Sequence, residues 1–283
     1  MRTGKGQPAF WVKIAQNVPG SRPQAPVVSH AKYGHIAKLQ ANQNYGNESG
    51  LYGWKTATHN LSTCNLAIRN LFSMENPVII FGAKGLGRVA LDIFQSNGVV
   101  VYGLLDDDKT LYSTDIQNVP VLGSPDDDGF LKLIGKKCEA FVATDDNKLR
   151  RHLTEMLNER RKTMPVNAVH NLAHIAPSAG IGHGNLLAAG VVVGSAAVLG
   201  SHCVLHTGCA VDYESRLGDY VQVGAGSVIG SGATVENGVF IGSGVTVVPG
   251  VTIGKNARVG AGSVVIENIK AGATVFGNPA KAV

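Results

Sequence analysis

The chain has 283 residues, of which 44% are hydrophobic and 16% charged, so it can bury a substantial core and is long enough for two domains. No apolar run reaches the roughly 18 residues that a membrane-spanning helix needs, and none near the N terminus has the character of a secretory signal. The four cysteines form no CxxC pair and have no zinc-like spacing to histidine, so we expect no metal site and a reducing, cytoplasmic location.

The net charge of +5 arises in the N-terminal segment, residues 1–73. This segment holds eight of the 25 Lys and Arg residues and one of the 20 acidic residues, which leaves 17 basic and 19 acidic residues, a net charge of −2, for the remainder. It shows neither a helical nor an alternating apolar period, so we expect a poorly ordered basic extension. Basic charge without a recognition motif indicates nucleic-acid binding only weakly, and we expect none. Met74, which opens the first patterned segment, is a candidate for the native start.

The first patterned segment, "PVIIFGAKGLGRVALDIFQSNGVVVYGLLDDD", predicts a βαβ unit that begins at Pro77. Its glycines allow the backbone to approach a ligand, and the start of the helix offers free N–H groups to a phosphate. Carboxylates at the end of the second strand can accept hydrogen bonds from a ribose. The glycine order is GxxGxG and differs from the dinucleotide pattern GxGxxG. The turn therefore indicates either a nucleotide or nucleotide-sugar site, or a purely structural connection between strand and helix.

Further alternation of strands and helices continues to about residue 170. A short helix is predicted at "GFLKLIGKK", a strand at "CEAFVAT" and a longer helix at "NKLRRHLTEMLNERRK". This alternation is typical of a small, mostly parallel sheet, here with about four strands. We therefore expect a Rossmann-like α/β domain over residues 74–170.

From Ile175 onward, an aliphatic residue recurs at every sixth position. The series contains sixteen members without a miss: Ile175, Ile181, Leu187, Val193, Leu199, Leu205, Val211, Leu217, Val223, Ile229, Val235, Ile241, Val247, Ile253, Val259 and Val265. Neither a helix nor an ordinary strand has this period, whereas the stacked turns of a parallel β-helix do. We expect residues 171–283 to form an all-β, single-stranded parallel β-helix.

Residues 76–283, about three quarters of the chain, resemble the left-handed β-helix acyltransferases. The similarity is to the branch with the sialic acid O-acetyltransferases and the bacterial nucleotide-amino-sugar N-acetyltransferases. It rests on "IIFGAKGLG", "LLDDD", "FVATDDNKLR", the hexapeptide array and the closing "VFGNPAKAV". The resemblance implies a homotrimer of left-handed β-helices with about three hexapeptides in each coil. It also implies a sugar or nucleotide sugar in the N-terminal domain and acetyl-CoA as co-substrate in the groove between neighbouring helices.

The resemblance also implies which residues bind the ligands. The sugar or nucleotide is expected at Lys84, Gly85, Leu86, Asp106, Asp107 and Asp145. Asp145 departs from the small residue often found at its position and adds negative charge beside the pocket. Acetyl-CoA is expected near Gln222, Ser243 and Ala261, largely through backbone groups, with Asn278, Pro279 and Lys281 closing over it.

The catalytic stretch departs from the family pattern. Members typically carry Asn-Thr-Gly, then Val-Asp-His-Asp/Glu-Cys, then Gly-Asp-x-Val-His, and the histidine beside the acid is the general base implied by the resemblance. Here the three stretches read "HTG", "VDYES" and "GDYVQ". Tyr213 stands where the base is expected and Glu214 keeps the acidic partner. His206 replaces the asparagine, and Gln222 replaces the second histidine.

A phenol is a poor general base, because at its ordinary pKa of about 10 only about one part in a thousand is ionised at neutral pH. Loss of general-base catalysis costs about 10²–10⁴ in rate, although positioning alone can leave slow transfer. His206, His202 and Glu214 are alternative bases, of which His206 has the best position; the other interpretation of His206 is an outward corner histidine with no role. The sequence thus predicts acetyl-CoA-dependent N- or O-acetylation of a sugar or nucleotide-linked amino sugar in surface-glycan synthesis. A catalytically silent binding or regulatory trimer is the alternative.

Overall fold

The structure is a computed structural model that describes Met74 and residues 76–283. The predicted basic extension, residues 1–73, lies outside the described residues. No helix in the described part of the chain is long and apolar enough to cross a membrane.

The α/β domain is built on a five-stranded sheet. Its strands are β1 (Val78–Phe81), β2 (Val101–Leu105), β3 (Asp115–Ile116), β4 (Val119–Gly123) and β5 (Glu139–Val142). They lie in the order β3-β4-β2-β1-β5, and all neighbours are parallel except β3, which pairs antiparallel with β4. The mostly parallel sheet predicted from the sequence is thereby confirmed, with one short antiparallel strand added at its edge.

Helices cover both faces of this sheet. They are α1 (Leu86–Ser96), α2 (Asp128–Leu131) and α3 (Asn147–Arg161), with a 3-10 turn at Lys109–Leu111. Strand β1 is buried along its whole length, and its alternate residues belong to two separate hydrophobic clusters, one with α1 and the other with α2 and α3. Phe94 of α1 packs edge-to-face on Phe141 of β5, with ring centroids 5.6 Å apart. The carboxyl ends of β1, β2 and β5 are left open between the helices.

From Ala168 the chain winds into a parallel β-helix with three faces. The first face holds β6 (Ala168–Val169), β9 (Leu186–Leu187), β12 (Val204–Leu205), β15 (Gln222–Val223), β18 (Phe240–Ile241), β21 (Arg258–Val259), β23 (Thr274–Phe276) and, antiparallel at its end, β24 (Lys281–Ala282). The second holds β7 (His174–Ile175), β10 (Val192–Val193), β13 (Ala210–Val211), β16 (Val228–Ile229), β19 (Thr246–Val247) and β22 (Val264–Val265). The third holds β8 (Gly180–Ile181), β11 (Val198–Leu199), β14 (Arg216–Leu217), β17 (Thr234–Val235) and β20 (Thr252–Ile253).

Each coil takes three hexapeptides, since residues eighteen apart pair with one another, as Val192 pairs with Ala210. The repeated aliphatic residues point inward. Fourteen of the sixteen, from Leu187 to Val265, are buried, whereas Ile175 and Ile181, in the first coil, are only partly buried. The predicted left-handed β-helix is therefore present. The boundary between the two domains at residue 170 stays a prediction. Strand β6 lies just before this boundary and already pairs with β9 of the β-helix.

The corners between faces require a left-handed backbone. From Gly184 to Gly262, every sixth residue has a positive φ, and nine of these fourteen corner residues are glycine. The other five are Ala196, His202, Glu214, Tyr220 and Asn256, with φ between 56° and 61°. An L-residue in this conformation costs about 1–2 kcal/mol relative to an ordinary one, which glycine avoids. A large side chain at such a corner is therefore a candidate for a role that offsets this cost.

Candidate active site

A cavity of about 400 Å³ opens at the carboxyl ends of β1, β2 and β5. Five of the six predicted substrate residues line it: Lys84, Gly85, Asp106, Asp107 and Asp145. The sixth, Leu86, is 4% exposed and packs into the core beneath α1, so its side chain does not face the cavity. The cavity is also lined by Thr144 and Asp146, from the loop between β5 and α3, and by Leu149 in the first turn of α3.

The three glycines of the GxxGxG turn have different tasks. A Cβ atom on Gly82 would lie 2.3 Å from the Ala143 carbonyl oxygen, and one on Gly87 would lie 2.2 Å from the Gly82 oxygen. Packing therefore requires glycine at both positions, and Gly82 also has φ of 114°, which favours glycine. Gly85 has φ of 48° and precedes α1, and it borders the cavity close to the Asp145 carboxylate. Gly82 and Gly85 thus each combine a conformational requirement with a place beside the cavity, whereas Gly87 is required by packing.

Asp106 braces this turn. Its Oδ2 accepts a hydrogen bond of 2.8 Å from the Ala83 N–H, and its Oδ1 accepts one of 2.9 Å from the Asp108 N–H. Lys84 forms an ion pair with Asp108, which raises the pKa of Lys84 and lowers the pKa of Asp108 below its usual range. The Lys84 side chain is 60% exposed, so its ammonium group is held at the mouth of the cavity and remains open to an anionic group.

One edge of the β-helix, between its first and second faces, is nearly free of side chains. We call this the glycine edge: it stacks the corners 206–208, 224–226, 242–244 and 260–262, which read HTG, GAG, GSG and GAG. A Cβ atom placed on Gly226, Gly244 or Gly262 would meet no neighbouring heavy atom within 4 Å. The expected acetyl-CoA residues Ser243 and Ala261 both lie on this edge. Such a surface presents backbone groups to an extended ligand without obstruction by side chains.

The C-terminal segment lies at the end of the glycine edge. Phe276 packs so closely over Gly260 that a Cβ atom there would overlap its ring. Asn278, Pro279 and Lys281 lie in and just after the turn from β23 to β24, which the Ala280 N–H ties to the Val264 carbonyl with a bond of 2.8 Å. The three residues predicted to close over acetyl-CoA are therefore next to the edge on which it was expected.

His206 heads the glycine edge and is half-buried. Its Nε2 lies 3.2 Å from Nε2 of Gln222, which is 8% exposed on the adjoining first face. Burial lowers the pKa of His206, the Asp145 carboxylate raises it, and the Arg150 guanidinium lowers it. The imidazole is thus neutral at pH 7. Asn147, which follows the cavity residue Asp146, donates a hydrogen bond to the carbonyl of Tyr220, two residues before Gln222, so the cavity of the α/β domain and the head of the glycine edge adjoin.

The contact with Gln222 determines what His206 can do. When the Gln222 amide donates to Nε2, the imidazole carries its proton on Nδ1 and has no free lone pair. When the carboxamide is turned over, its oxygen accepts from Nε2–H, and Nδ1 is free to accept a proton. Only the second arrangement makes His206 a base, and Gln222 then orients the ring.

Tyr213 and Glu214 lie elsewhere, on the edge between the second and third faces. Tyr213 is 52% exposed, and its backbone N–H donates to Oδ1 of Asp212 over 2.8 Å. Glu214 is an exposed corner residue with φ of 59°. Neither side chain is hydrogen-bonded to any other residue that the structure describes. Strand β13 separates this corner from His206, so a single chain does not bring the three predicted catalytic residues together.

Sequence analysis missed a set of residues where α3 meets the β-helix. Two of them, Asn147 and Arg151, contact Tyr220, and Thr154 lies beside it. Arg150 holds Asn147 in place through a hydrogen bond. The spacing of these four residues, i, i+3, i+4 and i+7, marks one helix face. Arg150 and Thr154 are buried although this face is polar, and the sequence alone gives no signal of that burial. Among the described residues, no group of three or more His, Cys, Asp or Glu side chains could hold a metal ion.

Two family models match the chain. The PglD N-terminal domain matches residues 77–157, and the bacterial transferase hexapeptide (six repeats) matches residues 232–267. No curated protein sequence matches significantly.

Several solved structures are similar over nearly their whole length. PerB from Caulobacter crescentus, in complex with CoA and GDP-perosamine, is 32% identical with a TM-score of 0.68, and the match covers 74% of this chain and 98% of PerB. The acetyltransferase domain of PglB from Neisseria gonorrhoeae, in complex with acetyl coenzyme A, is 26% identical with a TM-score of 0.68, covering 74% and 100%. WeeI from Acinetobacter baumannii is 25% identical with a TM-score of 0.65, covering 73% and 99%. The chain therefore belongs to the hexapeptide-repeat sugar acetyltransferases with a PglD-type N-terminal domain.

Proposed function

We propose that this chain transfers the acetyl group of acetyl-CoA to the amino group of a nucleotide-linked sugar, in the synthesis of a surface glycan. The observation that carries the proposal is the position of His206. It heads the glycine edge, where acetyl-CoA is expected, and it lies close enough to the acceptor cavity for Asp145 to act on its pKa. Relatives that bind CoA and GDP-perosamine support the same choice of substrates.

The cavity suits the sugar and amine of such an acceptor. Four carboxylates line it, those of Asp106, Asp107, Asp145 and Asp146, and they can accept hydrogen bonds from hydroxyl groups or an ammonium group. The diphosphate belongs at the mouth, where Lys84 and the start of α1 offer positive charge and backbone N–H groups. The Asp145 carboxylate lies close to Gly85 at the start of α1 and disfavours a diphosphate, which the Lys84 ammonium group and the helix N–H groups offset.

In the reaction, the sugar amine attacks the thioester carbonyl of acetyl-CoA. The new N–C bond forms, the C–S bond breaks, and the proton that the amine loses passes through the base to the departing sulfur of CoA. His206, neutral at pH 7, is the base we assign, with Gln222 orienting its ring. Tyr213 and Glu214 are placed by this proposal at the contact with a neighbouring subunit.

We further propose a cytoplasmic homotrimer. Val192 and Val228 on the second face of the β-helix are 43% and 42% exposed, and an apolar face of this kind is suited to a subunit interface. The three cysteines that the structure describes, Cys138, Cys203 and Cys209, are free and buried, which agrees with a reducing compartment.

The test is acetyl transfer from acetyl-CoA to a panel of nucleotide sugars, which includes GDP-perosamine, UDP-linked amino sugars and their hydroxyl counterparts. Released CoA thiol gives the rate, and mass spectrometry identifies the product. We expect one acetyl group on an amino sugar, in an amide that resists hydroxylamine. A product cleaved by hydroxylamine would show O-acetylation instead. Binding of both ligands by calorimetry with no transfer to any acceptor would establish the catalytically silent trimer.

The acceptor cavity has its own test. Asp106→Ala removes both hydrogen bonds that brace the turn, so we expect calorimetry to show weaker binding of the nucleotide sugar. Asp126→Ala, at an exposed residue outside the cavity lining, is the matched control. Equal affinity in wild type and Asp106→Ala would count against this site.

A further inference from the structure

The α/β domain is joined to the β-helix by one polar face of α3. Asn147 Nδ2 donates a hydrogen bond of 3.0 Å to the Tyr220 carbonyl, and the Arg151 guanidinium lies 4.6 Å from the centroid of the Tyr220 ring. On the other side of Tyr220, the ring of His202 lies at 4.9 Å. The corner residue Tyr220 is thus held between helix α3 and the neighbouring coil.

Beneath this contact lies Arg150, which is 1% exposed. Its Nη1 donates to the Thr144 carbonyl over 2.5 Å, and its Nη2 donates to Oδ1 of Asn147. Its buried Nε has no hydrogen-bond partner, and no carboxylate lies within ion-pair distance, among the residues that the structure describes. Burial lowers the pKa of Arg150 and outweighs the carboxylates of Asp145 and Asp146, which favour its charged form from beyond ion-pair distance. A buried guanidinium without a direct ion pair is costly, and an apolar side chain of similar size often stabilises a fold as well or better. Stability alone therefore does not account for an arginine here.

The hydrogen bonds of Arg150 lead to the two halves of the proposed active site. Thr144 lines the acceptor cavity and precedes Asp145. Asn147 is bonded to the carbonyl of Tyr220, two residues before Gln222, which contacts His206. One guanidinium thus connects the wall of the cavity with the strand that orients the imidazole.

The backbone at this junction is in a conformation that favours glycine. Tyr220 has φ of 58° and His202 has φ of 61°, whereas most equivalent corners of the β-helix are glycine. The two side chains are present despite that cost, and both belong to the contact with α3. The conformation of these two corners is an observation independent of Arg150, and it marks the same junction.

We propose that Arg150 is a positioning residue, which holds the acceptor cavity at a fixed distance from the His206–Gln222 pair. The assignment rests on the proposed function, since it concerns the geometry of acetyl transfer. Displacement of a reacting group by about 1 Å can cost about 10²-fold in rate, and this junction controls that displacement.

Arg150 also acts electrostatically on His206. The charged groups that shift its pKa are Asp145, from the region after β5, and Arg150, from α3, while Gln222 is uncharged. Arg150 lowers the pKa of His206 and Asp145 raises it. Burial, which is the largest cause of the lowered pKa, remains when the guanidinium is removed, but one of the two lowering causes is lost, so the pKa of His206 rises.

The first measurement compares Arg150→Met, Arg150→Lys and Arg161→Met in steady-state kinetics. Arg161 is the matched control, because it also donates from α3 to a backbone carbonyl, that of Ile134, but at the far end of the helix. We expect Arg150→Met to fold and to lose about 10²-fold in kcat with a smaller change in KM. Arg150→Lys recovers part of the loss, and Arg161→Met resembles wild type. An unchanged kcat in folded Arg150→Met would overturn the proposal.

The second measurement is an NMR titration of the His206 imidazole, which does not depend on turnover. We expect its midpoint to move to higher pH in Arg150→Met and to stay near wild type in Arg150→Lys. An unmoved midpoint in the Met variant contradicts the proposal. Should Arg150→Met not fold, Asn147→Ala breaks the same connection without removing the charge, and an unchanged kcat there would also contradict it. A wild type that transfers no acetyl group refutes the proposed function, whereas the titration still decides the role of Arg150.

Discussion

Replacement of His206 by alanine is the most informative single change in the proposed mechanism. A general base in the correct position accelerates proton transfer by about 10²–10⁴-fold, so kcat/KM of His206→Ala should fall by that factor. Gln222 then loses its contact with the ring, but no core residue is removed, because His206 is only half-buried. We therefore expect the variant to fold and to bind acetyl-CoA.

The pH profile of wild-type kcat/KM also tests whether His206 is the base. Burial and Arg150 lower the pKa of His206, so the imidazole becomes protonated only when the pH falls below the ordinary value of about 6.5. Activity should thus persist below pH 6.5 and decline at lower pH. The assay is CoA release between pH 5 and 8 at amino-sugar concentrations below KM, where the rate is proportional to kcat/KM.

The control is His183→Ala, which removes an exposed corner histidine of the same β-helix and should leave the profile unchanged. Retention of more than half of the activity in His206→Ala would refute the assignment of the base. An acid limb at or above pH 6.5 in the wild type would refute the electrostatic argument.

Three further predictions concern other parts of the chain. Tyr213→His should change kcat/KM by less than about tenfold if His206 is the base, whereas a larger gain would show that the base was lost at Tyr213. His202 has its pKa lowered by burial to about 4, so the unfolded chain binds more protons between pH 6.5 and 4, and stability falls as the pH falls through this window. Between pH 7 and 5 the loss should be about 2 kcal/mol in denaturant unfolding and should disappear in His202→Asn, and a wild type without it would contradict the argument. Residues 74–283 should fold and form trimers when expressed alone, as sedimentation would show, and an insoluble product would mean that residues 1–73 are structural.

The β-helix was predictable because its period is set by geometry. A coil of three hexapeptides places one inward residue at each sixth position, and the sixteen aliphatic residues match it without a break. The α/β domain was predictable for a similar reason, since βαβ alternation leaves few other arrangements. The small antiparallel strand β3 was missed, because two residues carry no period.

The candidate site was predictable only in part. The cavity residues follow from the rule that ligands bind at the carboxyl ends of parallel strands. The distribution of His206 and Tyr213 between two edges also follows from the period, since residues seven apart lie on successive corners of a six-residue repeat. The bracing role of Asp106 was not predictable, because it depends on which N–H groups the folded turn directs at the carboxylate.

The junction at Arg150 shows what a sequence does not reveal directly. An i, i+3, i+4, i+7 row of Asn147, Arg150, Arg151 and Thr154 is ordinary for a solvated helix face. Its burial is decided by the β-helix, whose coil at residue 220 lies more than sixty residues further along the chain. Only the structure shows that this polar face is covered.

A crystal structure of the trimer with CoA and the acceptor nucleotide sugar would test the central claim most directly. The measured quantity is the distance from the acceptor nitrogen to the nearest ring nitrogen of His206. We predict hydrogen-bond reach, about 2.6–3.2 Å, with the CoA sulfur beside the glycine edge and the sugar in the cavity at Asp145. An acceptor nitrogen that instead contacts Glu214 or Tyr213, with His206 out of reach, would contradict the account.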